Sequence, residues 1–81
     1  MNDPCQLFKS HYKKAKETLD ILEEQKYQIE LDLESNPISA DLNKKLREMN
    51  LDIKITVNEL EHAIYSIKKC EINQVALLKQ S

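Results

Sequence analysis

The chain has 81 residues, 41% hydrophobic and 32% charged, with no Gly, no Trp and a single Phe. That is room for one domain at most, too apolar for a typical disordered segment, and without the glycines that phosphate-cradling loops and left-handed caps use. Twelve basic against 14 acidic residues leave a formal charge of -2, so neither nucleic acid nor an anionic membrane is attracted globally.

A helix start is written in "NDPCQ". Asp3 can cap, Pro4 suits the first helical position, where its missing N–H is harmless, and Gln6 occupies the capping-box position. From there Cys5, Phe8, Tyr12, Ala15, Leu19, Leu22, Lys26, Ile29 and Leu33 follow three–four spacings, and Lys26 is the only charged member. Strong helix formers fill the remaining positions, as in "KKAKETLDILEEQK". The expected first helix covers 4–35.

The stretch "SNPISADL" interrupts the pattern. Pro37 pushes the residue before it out of helical conformation, so the first helix should stop near Ser35 and a turn should occupy 35–39. Two starts are open for the second helix: Asn36 as cap with Pro37 first, or Ser39 as cap with Ala40 and Asp41 behind it. Leu42, Leu46, Met49, Ile53, Val57, Leu60, Ile64 and Ile67 then share a face, and the helix should run to about residue 74, with 75–81 extending it or fraying. Helices joined this tightly lie antiparallel.

The expected fold is therefore all-α, one domain over 1–81, an antiparallel coiled-coil-like hairpin with the longer helix second. Folding back about Asn36 pairs position i with about 72 − i, give or take a turn. Phe8, Tyr12, Leu19, Leu22 and Ile29 should meet Leu46, Met49, Ile53, Leu60, Ile64 and Ile67 across the seam. Lys9 and Lys13 come near Glu59 and Glu61, and Glu24 and Glu30 approach Lys44, Lys45 and Arg47.

A second apolar line on the second helix, Leu51, Ile55, Tyr65 and Ile72, is interrupted by Asn58, His62 and Lys69. One partner helix covers about one stripe, so this line should face away from the first helix and form a protein interface. The expected partner is another protein chain, either a larger chaperone-like protein or a second copy.

Chemistry finds little footing. Cys5, His11, His62 and Cys70 gather toward the open end of the hairpin, but no two lie a turn apart on one helix, so no metal site is expected. Cys5 falls opposite about Ile67; a bond to Cys70 is within reach in an oxidising setting, while the default role of both is to fill the stripe as small apolar residues. Carboxylates such as Glu23, Glu24, Glu59 and Glu61 lack a pocket to raise their pKa, so neither enzymatic activity, a cofactor nor a small-molecule substrate is expected. "KSHYKKAK" offers Lys9, Lys13 and Lys16 on one face, but Tyr12 belongs to the seam and Glu17 and Asp20 follow, which disfavours nucleic acid. No apolar run reaches the ~20 residues of a membrane span and the start lacks a secretory pattern, so the expected location is the cytoplasm.

In size and layout, the stripe Phe8, Tyr12, Leu19, Leu22, Ile29, the turn "SNPIS" and the long helix "LREMNLDIKITVNELEHAIYSI" resemble the small hairpin co-chaperones of type III secretion systems. The likeness covers about residues 5–70 and carries no diagnostic motif. It implies a stabilising contact with a larger helical-repeat chaperone that keeps the needle subunit monomeric in the cytoplasm.

Overall fold

The computed structural model describes residues 4–80, with side chains as far as residue 75. Two helices account for nearly all of it: α1, Gln6–Ser35, and α2, Ala40–Gln80. They pack along their lengths as an antiparallel hairpin measuring 65 × 19 × 13 Å, with α2 the longer, as the periodicity predicts.

Local signals set the helix ends. Asp3, the expected cap of α1, lies outside the described residues; Pro4 and Cys5 form a turn and the helix begins at Gln6, with Cys5 at the cap position. At the other end the Asn36 N–H closes α1 by donating to the carbonyls of Asp32 and Leu33, at 3.1 and 3.2 Å. Of the two possible starts for α2, the later one forms. Ser39 Oγ accepts the Leu42 N–H at 3.2 Å, the geometry of an N-cap. Asn43 adds a clasp, its side-chain amide donating to the carbonyls of Ser39, at 2.8 Å, and Pro37, at 3.3 Å. The four-residue connection is thus held from both sides.

Because α2 begins at Ala40, the chain doubles back between Pro37 and Ile38. Position i then lies opposite 75 − i, about one turn from the simplest fold-back. That shift brings Cys70, not Ile67, to Cys5, and the two sulfurs are bonded with their Cα atoms 5.9 Å apart, inside the range a disulfide spans. The default expectation of two cysteines merely filling the stripe is corrected accordingly.

All nine α1 stripe positions, from Cys5 to Leu33, are buried or half-buried. On α2 the enclosed line steps strictly by threes and fours through Leu42, Leu46, Met49, Ile53, Thr56, Leu60, Ala63, Ile67 and Cys70. This is the heptad repeat of a coiled coil. Thr56 and Ala63 are the deepest residues of α2, while Val57 and Ile64, which looked like stripe members in the sequence, flank the seam half-buried. Large residues meet small ones: the register sets Tyr12 opposite Ala63, Ala15 opposite Leu60 and Leu19 opposite Thr56. The Thr56 hydroxyl is satisfied within its own helix, donating to the Asp52 carbonyl at 2.9 Å. Half-buried Lys26, opposite Met49, can lay its aliphatic stem on the seam and keep its ammonium in water. The ion pair between Lys16 and Asp20, 4.0 Å apart and exposed, runs along α1 and contributes a few tenths of a kcal/mol at about the level of other i,i+4 pairs.

Two stability outcomes follow from this packing. Leu19→Ala should cost roughly 2–3 kcal/mol and Ala63→Leu roughly 1–3 kcal/mol in urea denaturation, whereas Leu31→Ala, outside the seam and partly covered, should cost only about 1 kcal/mol. Reducing the disulfide, which closes a 65-residue separation, should lower stability by about 4 kcal/mol on the loop-entropy view. Equal denaturation midpoints with and without reductant would contradict that role.

Candidate protein-docking face

The same heptad that turns one side of α2 toward α1 fixes what the opposite side presents. Leu51, Ile55, Asn58, His62, Tyr65, Lys69 and Ile72 also step by fours and threes, half a helix turn away from the seam, and every one is exposed. The four apolar members are far from enclosed: Leu51 is 58%, Ile55 48%, Tyr65 63% and Ile72 66% accessible.

The line is divided. Leu51 and Ile55 form one apolar block, Asn58 and His62 a polar centre, and Tyr65 with Ile72 a second block continuing toward Val75, which is also exposed. Lys69 joins the second block through its side chain, the ammonium standing 5.8 Å from the centre of the Tyr65 ring in a cation–π contact. Spacing alone gave the membership of this face; the Lys69–Tyr65 contact depends on rotamers and was missed.

Charges flank the face in an ordered way. Arg47, Lys54 and Lys68, with Glu61 among them, run along one edge, and Asp52 and Glu59 along the other. α1 offers nothing comparable: Leu7, Ile21, Tyr27 and Leu31 are exposed but do not fall on one continuous line.

At the disulfide end an open cleft of about 410 Å3 lies between the start of α1 and α2, lined by Pro4, Phe8, Tyr65, Lys69, Cys70 and Asn73 among others. Tyr65 and Lys69 therefore belong both to the outward line and to this cleft. A second cleft holds His11, Glu59 and His62 beside Phe8 and Ala63. Of the four side chains considered for metal, Cys5 and Cys70 are committed to their mutual bond, and among the described residues no group of three or more His, Cys, Asp or Glu is placed to hold an ion. Beyond Cys70, α2 continues to Gln80 with no α1 residue opposite, so the overhang begins about two residues later than the simple fold-back places it. Among the described residues no helix is long and apolar enough to cross a membrane.

No family model, no curated protein and no solved structure matches this chain.

Because the face is largely solvent-exposed and separate from the seam, Leu51→Ser with Ile55→Ser should lower the stability of the isolated hairpin by only about 1–2 kcal/mol in urea melts followed by circular dichroism. A loss of several kcal/mol would mean these side chains belong to the core.

Proposed function

We propose that this chain is a non-enzymatic adaptor or co-chaperone that stabilises a partner protein by docking it on the outward line of α2. The observation that carries the reading is the exposure of Leu51, Ile55, Tyr65 and Ile72 on one continuous heptad line. Apolar side chains arranged this way gain free energy only when another surface covers them. The partner that best fits is a helical surface, because a helix or pair of helices can offer apolar residues at matching spacing over the length of the line. The likeness in size and layout to type III secretion co-chaperones supports a larger helical-repeat chaperone as that partner, in needle-subunit handling. This reading sets the chain in the cytoplasm, where the Cys5–Cys70 bond would stand reduced.

The charged edges favour a second reading, self-assembly as a homodimer of hairpins with a regulatory or structural role. Parallel pairing of two α2 outward lines would set Arg47 beside Asp52 and Lys54 beside Glu59 of a second copy, opposite charges each time. Antiparallel pairing brings each edge against its own kind.

Sedimentation of the purified chain at micromolar concentration separates the two. A monomer, together with a protein that co-purifies from the native cell and is lost on Leu51→Ser with Ile55→Ser, is the outcome expected of the adaptor. A dimer that the same double substitution dissociates is the outcome expected of self-assembly. Partner binding and self-association both untouched by the substitutions would overturn docking on this face.

A further inference from the structure

The bond between Cys5 and Cys70 is chemically unsymmetrical. Cys5 is fully enclosed, 0% accessible, whereas Cys70 is partly exposed and forms part of the wall of the 410 Å3 cleft. Cys70 lies inside α2, about ten residues before its end. Lys69 lines the same cleft, so a cation stands where an anionic nucleophile would enter.

Thiol–disulfide exchange depends on which sulfur can be reached and which thiolate leaves more easily. Reach selects the direction here, because Cys70 borders the cleft and Cys5 is enclosed. We propose that Cys70 is a site of thiol–disulfide exchange, attacked through the Phe8–Tyr65–Lys69 cleft by a small anionic thiol of the glutathione class, with Cys5 as the leaving group. The incoming thiolate forms a bond to Cys70 Sγ while the Cys5–Cys70 bond breaks, and the electron pair departs on Cys5 Sγ. A second thiolate then attacks the small-molecule sulfur of the mixed disulfide, releasing Cys70 and a small-molecule disulfide. Two electrons pass from two thiols to the protein bond, and the two cysteines take up the two protons the thiols gave. The product is a hairpin open at one end, its first remaining seam layer Phe8 with Ile67. A reducing compartment holds it open and an oxidising one closes it.

The inference does not depend on any partner, and the oxidised full-length chain tests it directly. The chain is exposed briefly to reduced glutathione, quenched with N-ethylmaleimide, cleaved with trypsin and mapped by mass spectrometry; cleavage at Lys9 and Lys69 separates the two cysteines. The expected early product carries glutathione on Cys70 and maleimide on Cys5, in roughly tenfold excess over the reverse. Equal labelling, glutathione mainly on Cys5, a bond that resists until denaturant is added, or a chain that keeps two free thiols after oxidation would each overturn the proposal. Lys69→Glu supplies an independent check, since it should slow exchange with glutathione several-fold and leave helicity intact. An unchanged rate in that variant would eliminate entry through the cleft.

Discussion

The register between α1 and α2 is the constraint on which the rest of the molecule depends. In a two-helix seam, sliding one helix by a turn exchanges one set of apolar neighbours for another. Register is therefore decided at the ends. At the loop end, the Ser39 cap and the Asn43 clasp fix where α2 begins. At the open end, the Cys5–Cys70 bond joins positions that only one register brings together. Between them, the pairing of Tyr12 with Ala63 and Leu19 with Thr56 adds shape to what would otherwise be a uniform apolar stripe. Once the register is set, the outward direction of Leu51, Ile55, Tyr65 and Ile72 is set with it.

Much of this was legible in the residues. The α1 stripe could be read position by position, including half-buried Lys26, because helical spacing and side-chain chemistry agree at every step. On α2 the two criteria part. Apolar character favours Val57 and Ile64, whereas strict three–four alternation runs through Thr56 and Ala63, and packing follows the alternation because it keeps one line facing α1 along the whole length. The disulfide was hidden for a related reason. Sequence locates a turn to within a few residues, each residue of error at the turn moves the opposite position by two, and a sulfur–sulfur bond tolerates almost none of that. The outward face was easier to read, since spacing determines membership of a face and small register errors leave it alone.

Energetics limit what the outward face can do. Enclosing a large aliphatic or aromatic side chain is worth about 1.5–3 kcal/mol, and those of this line are already a third to a half covered. Four of them supply roughly 3.5–7 kcal/mol before the cost of immobilising two molecules is subtracted. That sum is short of micromolar binding, about 8 kcal/mol, unless more surface joins in. Two extensions are at hand: the charged edges, from Arg47 to Lys68, and the part of α2 beyond Cys70 that α1 leaves uncovered. A polar centre at Asn58 and His62 works the other way, lowering affinity while penalising any surface that puts apolar groups opposite it.

The disulfide and the outward face meet at two residues. Tyr65 and Lys69 project from the outward line, are joined by a cation–π contact, and also form part of the wall of the cleft that exposes Cys70. A partner covering the second apolar block would enclose this wall and obstruct the path to Cys70. Conversely, breaking the bond removes the tie that holds Pro4 against the other side of the cleft and so changes the surface a partner would meet. Because binding free energies are linked, any partner that prefers one state of the bond must shift the bond's reducibility by the same factor. Helix spacing brings these two features together at one end of a 65 Å hairpin; elsewhere along the seam, from Ala15 to Leu33, the outward face and the bond share no residues.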